Sequence, residues 1–159
     1  MSRKHARRRA IVPLPPRGLR PKLSRDQVID LGLAHVANLD TIATGQAGEE
    51  VLWQWVGGVL TWSYVATALE RGSPEMQRQL QLVTRVVERY GSTGRVLFTG
   101  LDYQAAKEGV EVMDQLAELV DRPTAIAAAD WAESRMNTMI EGINRRSAPH
   151  IEPRERRAA

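Results

Sequence analysis

The chain has 159 residues, of which 43% are hydrophobic and 26% charged, and it contains no cysteine. This length is enough for one domain with a hydrophobic core. The lack of cysteine excludes disulfides, thiolate zinc sites and cysteine-ligated iron–sulfur clusters, and it fits a reducing cytoplasm.

The net charge of +3 comes from segments of opposite sign. Residues 1–25 contain nine Lys or Arg and no acid. Residues 26–144 contain seventeen Asp or Glu against eight Lys or Arg, and residues 145–159 contain five Arg against two Glu. An acidic body between two basic ends points to nucleic acid or another acidic partner.

Residues 1–23 are predicted to form a basic, proline-rich arm, because four prolines and mutual charge repulsion oppose a continuous helix. We expect this N-terminal arm to be extended and disordered when free. Eight of its side chains are candidate phosphate contacts that would bind nucleic acid by releasing counterions. They are Arg3, Lys4, Arg7, Arg8, Arg9, Arg17, Arg20 and Lys22. Two alternatives are a solubilising tail and an arm that folds back on the acidic body.

Residues 24–144 are predicted to form an all-α domain of about five helices. Ser24 and Gln27 have the spacing of a capping box, which indicates a first helix from there to about residue 43. Its predicted apolar side comprises Val28, Leu31, Leu33, Val36, Leu39 and Ile42. His35 lies in this helix without a second His, Cys or carboxylate at ligand spacing, so a structural role is favoured.

The second helix, roughly residues 49–71, is the centre of the predicted domain. No charged residue lies between Val51 and Leu69. Helical spacing gives it two apolar sides, which predicts burial against neighbouring helices or another copy of the chain. The first side comprises Leu52, Trp55, Val56, Val59, Trp62, Ala66 and Leu69; the second comprises Trp53, Leu60, Tyr64 and Ala68. We therefore predict a homo-oligomer with Trp53, Leu60 and Tyr64 at the interface between copies.

Two further features of this helix carry predictions. Gly57-Gly58 lies in mid-helix, where glycine is unfavourable, so a close neighbour or a bend is expected there. The uncharged stretch also reaches the minimum length of a membrane span. Its polar residues and its central tryptophans argue against that alternative, because interfacial tryptophans lie near the edges of a bilayer.

Three more helices follow in the prediction. The third runs from Pro74 to about Tyr90 and is followed by a connector over residues 91–95. The fourth is capped by Thr99 and Asp102 and ends near Val120. We expect Leu101, Ala105, Val112, Leu116 and either Leu119 or Val120 on its buried side. Glu108, Glu111, Gln115 and Glu118 are expected on its solvated side. The fifth spans about 124–144 and places Trp131 off its apolar stripe, towards a partner or another helix. Residues 145–159 are predicted to form a basic C-terminal tail.

No constellation of catalytic or metal-ligating residues is found in the sequence. There is no phosphate-binding loop, dinucleotide fingerprint or zinc-protease motif. We therefore predict a non-enzymatic protein without a cofactor or metal. The charge pattern favours nucleic-acid binding through the arms, and the alternative is a module whose acidic body binds a host protein. A membrane-acting protein is a minor alternative.

Four pieces follow one another in a characteristic order: the basic proline-rich head, RPKLSRDQV, LWQWVGGVLTWSYVA and ERYGSTGRVLFTGLDYQAAKEGVEVMDQL. In this order the chain resembles a family of small proteins of phages and prophages of proteobacteria. The resemblance covers roughly residues 33–140, and the segment TGRVLFTG carries most of it. It implies an origin on a mobile element and action in the cytoplasm of a bacterial host. It carries over no catalytic residue.

Overall fold

The computed structural model describes residues 20–147 of the chain. Within this range the regular elements are five α-helices, which confirms the predicted all-α fold. They are α1 (Arg25–Ala43), α2 (Glu49–Leu69), α3 (Ser73–Thr93), α4 (Gly100–Leu119) and α5 (Arg122–Ser147). None of the described helices combines the length and the apolar character needed to cross a membrane.

Both predicted capping boxes are present. The backbone N–H of Gln27 donates to Ser24 Oγ over 3.2 Å, and the Gln27 side chain accepts from the Ser24 N–H over 2.9 Å. Thr99 and Asp102 make the same reciprocal pair at the start of α4, over 3.1 and 3.0 Å. These bonds satisfy backbone donors that the first turn of a helix leaves without an intrahelical partner, so they fix where α1 and α4 begin.

Helices α1 to α4 form a four-helix arrangement in which α1 and α3 each pack against both α2 and α4. The fifth helix, α5, packs mainly on α2 and lies outside the four-helix arrangement. Met136 lies 3.5 Å from the position that a Cβ on Gly57 would occupy, and the rings of Trp131 and Tyr64 are 5.7 Å apart. Since the order of these contacts is reversed between the helices, α5 runs antiparallel to α2.

This arrangement explains why α2 is apolar on two sides. Its first predicted side lies in the core, where Leu52, Val56 and Val59 are fully buried. Trp53, Gly57, Leu60 and Tyr64 recur at spacings of three and four, so they share the side that α5 contacts. The second side therefore packs within one chain. Trp53 and Leu60, which the sequence predicts at an interface between copies, are 8% and 5% exposed.

Two predicted buried sides are partly wrong. In α1 only His35, Leu39 and Ile42 are buried, whereas Leu33 is 64% and Val36 46% exposed. In α4, Leu101 is 84% exposed. Leu116 and Val120 are buried as predicted, and Ala105 and Val112 are partly buried. The other buried residues of α4 are Asp102, Ala106, Gly109, Val110, Met113 and Ala117. Small residues form much of this side because α3 packs closely on it, as Gln79 of α3 occupies the space above Gly109.

Two helices are longer than predicted. Helix α3 continues through Gly91 to Thr93 and ends at Gly94, whose φ of 67° is in the left-handed region that glycine adopts readily. Helix α5 continues to Ser147. Arg145 and Arg146, assigned to the C-terminal tail from the sequence, therefore form the last turn of a helix.

Candidate nucleic-acid interface

The last residues of the N-terminal arm are fixed to the connection between α4 and α5. Lys22 forms an antiparallel bridge with Asp121, and the Arg122 N–H donates to the Pro21 carbonyl over 2.7 Å. The Arg20 guanidinium lies 3.9 Å from a carboxylate oxygen of Asp121. The arm therefore leaves the helical body at one end of α5, beside the last turn of α4.

Two of the eight predicted phosphate contacts can be placed. Arg20 is half-buried and paired with Asp121, whereas Lys22 is exposed. The other six predicted contacts, Arg3, Lys4, Arg7, Arg8, Arg9 and Arg17, lie outside the described residues. Arg20 thus already contacts a carboxylate of the body, and the exposed Lys22 side chain remains available to a phosphate.

The second basic segment begins at the opposite end of the same helix. Arg145 and Arg146 lie in the last turn of α5, and Arg145 pairs with Glu141 over 3.1 Å in an exposed i,i+4 contact. Such an exposed pair contributes little to stability and is easily exchanged for another anion. A helix of 26 residues is about 39 Å long. The two basic segments are therefore held apart by about the length of α5.

Charge is unevenly distributed over the helices. Helix α4 contains five carboxylates and a single basic residue, Lys107. Helix α5 contains four arginines against three carboxylates. Helix α5 packs chiefly on α2 and little on α4, so most of the helix that joins the two basic segments lies away from the most acidic helix. A polyanion along α5 would meet less repulsion there than along α4.

An aromatic side chain lies midway along α5. Trp131 is 37% exposed, its ring is tilted against Tyr64, and the Arg135 guanidinium lies 5.9 Å from its centre. A cavity of about 450 Å³ opens beside it between α2, α3 and α5. The predicted position of Trp131, off the apolar stripe and against a neighbouring helix, agrees with this arrangement. Exposed aromatic and arginine side chains together are typical surfaces for unstacked bases.

The lone histidine of the described range has a structural partner. His35 is buried, and its Nε2 accepts a hydrogen bond of 2.8 Å from Trp62 Nε1. Burial lowers the pKa of His35, and the Asp114 carboxylate opposes this lowering only in part. The neutral ring therefore carries its proton on Nδ1. Within residues 20–147, His, Asp and Glu nowhere gather in a group of three that could hold a metal ion.

One partly buried ion pair was missed from the sequence. Arg89 of α3 donates to Asp102 of α4 over 2.9 Å and also to the Leu97 carbonyl over 2.9 Å. Burial by itself raises the pKa of Asp102, but the hydrogen bonds from Thr99 and Arg89 outweigh it and leave that pKa below its ordinary value. The sequence shows Asp102 as a capping residue and Arg89 on a polar helix face. Neither the capping pattern nor the polar helix face predicts that Arg89 and Asp102 are in contact. Their ion pair holds the connection between α3 and α4 in place.

Searches for similar proteins found no matching family model, no matching curated protein and no matching solved structure. The sequence resemblance to phage and prophage proteins therefore stays a prediction.

Proposed function

We propose that this protein is a non-enzymatic accessory protein of a phage or other mobile element that binds nucleic acid through its two basic segments. One observation carries the proposal: the two segments join the body at opposite ends of α5, with Lys22 near its start and Arg145 and Arg146 at its end. A nucleic acid lying along α5 would reach both segments at once.

Binding of this kind is directed to phosphates and falls steeply with salt, because each neutralised phosphate releases a counterion. It needs no catalytic group and no metal. The exposed ring of Trp131 and the guanidinium of Arg135 lie between the two basic segments. These two side chains favour a single strand over a duplex, since an unstacked base can lie against them.

The proposal is tested by fluorescence anisotropy of the full chain with single-stranded DNA, duplex DNA and RNA over a range of salt concentrations. The informative variant replaces Arg7, Arg8 and Arg9 with Gln. We expect weaker binding at low salt and a logarithmic salt slope that is smaller by about 2 to 3, since about 0.7 to 0.9 counterion is released per phosphate contact.

The matched control replaces three arginines of the body, Arg78, Arg85 and Arg95, with Gln. All three are exposed, and the change in net charge is the same. We expect the control to keep the salt slope of the native chain. Equal losses in both variants would mean that only net charge matters, and no binding by the native chain at low salt would end the proposal.

A further inference from the structure

The groove between α1 and α4 is an acidic surface that also exposes apolar side chains. A cavity of about 260 Å³ lies there, and its lining includes Val36 together with the carboxylates Asp40, Glu111 and Asp114. The Asp114 carboxylate reaches across to α1, 3.1 Å from the position of a Cβ on Gly32. The groove therefore lies directly between the two helices.

Apolar side chains of α1 border this groove without a partner in the described structure. Ile29, Leu33 and Val36 follow one another at spacings of four and three and are between 46% and 64% exposed. Because Val36 lines the cavity, helical spacing places Ile29 and Leu33 along the same edge. A row of large exposed apolar residues on one helix is a typical docking surface.

The N-terminal arm leaves the body at one end of this groove. Helix α4 runs antiparallel to α1, since Asp114 lies over Gly32 and the Tyr103 hydroxyl lies 3.3 Å from Asp40. The end of α4 is therefore the end of the groove nearest the start of α1. Residues 20–22 are fixed to Asp121, two residues beyond the last residue of α4.

The arm is long enough to follow the whole groove. From Asp121 to Tyr103 the groove is about 27 Å long, by the rise of an α-helix. The nineteen residues that precede Arg20 span up to about 60 Å when extended. Residues 11–14, with the sequence IVPL, are six to nine residues before Arg20, a reach of up to about 20 to 30 Å. Leu33 and Val36 lie about 12 and 17 Å from the start of α1, so both are within reach of this segment without full extension of the arm.

The charges of the arm and the groove are of opposite sign. Beginning at the exit point, the arm is basic at Arg20 and Arg17, apolar over residues 11–14, and basic again over residues 7–9. The groove is lined by three carboxylates, Asp40, Glu111 and Asp114, against one basic residue, Lys107, so its net charge is negative. Helical spacing places Glu118 along the same side of α4 as Asp114 and Glu111. The ion pair between Arg20 and Asp121 is one such contact between opposite charges.

We infer that the N-terminal arm of the same chain occupies the α1–α4 groove when nucleic acid is absent, and that nucleic acid competes with the groove for the arm. This inference names a regulation of the proposed nucleic-acid site and rests on the proposed function for its second half. The docked arm covers the exposed apolar residues of α1 and neutralises the acidic helix. Release of the arm from the groove costs part of the free energy of nucleic-acid binding. The groove and the phosphates therefore compete for the same arm.

Docking is tested without nucleic acid, by paramagnetic relaxation in the full chain. Because the native chain has no cysteine, a spin label at Ala10→Cys is unique. We expect the label to broaden the backbone amides of residues 33–40 and 107–114 at least about twofold more than those of residues 77–81 on α3. The effect should disappear at about 1 M salt, where charges are screened beyond about 3 Å.

Two outcomes of this measurement would overturn the inference. The first is equal broadening of α3 and of the α1–α4 groove, which means that the arm has no preferred site. The second is broadening that appears when spin-labelled chains are mixed with separate isotope-labelled chains, which means that the groove takes the arm of a second copy. A separate basic protein that bound the groove would displace the labelled arm, and the broadening of the groove amides would be lost.

Competition is tested by neutralising the groove in the full chain. In the double variant Glu111→Gln and Glu118→Gln, we expect loss of the broadening and about a three- to tenfold gain in affinity for single-stranded DNA at low salt. The control, Glu50→Gln with Glu70→Gln at the two ends of α2, removes the same charge from exposed positions outside both the groove and α5. We expect it to keep the broadening and to gain less affinity.

The two proposals fail separately. If the native chain binds no nucleic acid but shows the broadening at the groove, the proposed function and the competition are wrong. Intramolecular docking of the arm then still holds. A chain that binds nucleic acid but gains equally from both double variants removes the competition, and the proposed function stands.

Discussion

The bond between Trp62 and His35 shows how one buried polar contact fixes the state of a titratable group. The Trp62 indole can only donate, so His35 Nε2 must offer a lone pair. Protonation of the ring would remove that acceptor and leave a charge in a buried site. The sequence indicates that His35 is structural, but it cannot indicate its partner, which lies 27 positions away on another helix.

This contact predicts a dependence of stability on pH. The pKa of His35 is lowered in the folded protein, so between that pKa and about 6.5 the unfolded chain binds more protons than the folded chain. The stabilisation is therefore complete above about pH 6.5 and is lost as the pH falls through the folded pKa. The slope in that window approaches about 1.4 kcal/mol per pH unit. Urea unfolding between about pH 7 and 5 measures it.

The control variant is His35→Gln, which keeps an acceptor for Trp62 but does not titrate. We expect this variant to be less stable than the native chain near neutral pH and to lose less stability on acidification to about pH 5. A native chain whose unfolding free energy does not change over this range would contradict the assignment of His35 as a buried neutral acceptor.

At the scale of the helix, the sequence predicts where elements begin better than it predicts which sides are buried. The capping boxes at Ser24 and Thr99 are local, because each depends on residues three apart. The buried side of α4 depends on α3 instead: the Gln79 side chain donates to the Ala105 carbonyl over 2.8 Å and needs the space at Gly109. A pattern of large apolar residues cannot detect packing that depends on the absence of a side chain.

Helix α2 shows the same effect at Gly57-Gly58, where the sequence predicts a close neighbour or a bend. Two neighbours are present on different sides. A Cβ on Gly58 would lie 2.8 Å from His35 Cε1, whereas a Cβ on Gly57 would lie 3.5 Å from Met136 Sδ. The first distance requires a buried ring to move, and the second is an ordinary contact.

These distances predict opposite effects for two adjacent substitutions. Gly58→Ala should destabilise the protein by about 1 to 2 kcal/mol, because overpacking outweighs the gain in helix propensity. Gly57→Ala should be neutral or stabilising by up to about 1 kcal/mol. Each variant serves as the control for the other, and urea unfolding followed by circular dichroism measures both. Equal effects would mean that His35 yields to the new methyl group without cost.

At the scale of the molecule, α5 covers the second apolar side of α2. The sequence predicts that Trp53, Leu60 and Tyr64 form an apolar face that must be covered, and it suggests another copy of the chain as the partner. In the structure that side lies against α5. The sequence could not separate these alternatives, because a helix covered by a later segment of its own chain and one covered by another chain have the same pattern.

The attachment of α5 differs from that of the other helices. Helices α1 to α4 each pack against two or more neighbours, whereas α5 has α2 as its principal neighbour. Its most buried side chains, Ala128 and Ala132, are small. Small side chains gain less from burial than the large ones of α2 and α3, and a helix with one principal neighbour can separate without disturbing the others. We therefore expect α5 to open before the four-helix arrangement unfolds.

This difference predicts self-association when α5 is displaced. Ala132→Glu places a carboxylate in a site that is 2% exposed, and burying an unpaired charge is strongly unfavourable. We expect α5 to leave α2 and to expose Trp53 and Leu60, so that the mass from light scattering rises with protein concentration. Ala129→Glu, at an exposed position of the same helix, should behave as the native chain does. If Ala132→Glu instead loses all helical signal in circular dichroism, α5 belongs to one cooperative unit with the other helices, and its separate opening is excluded.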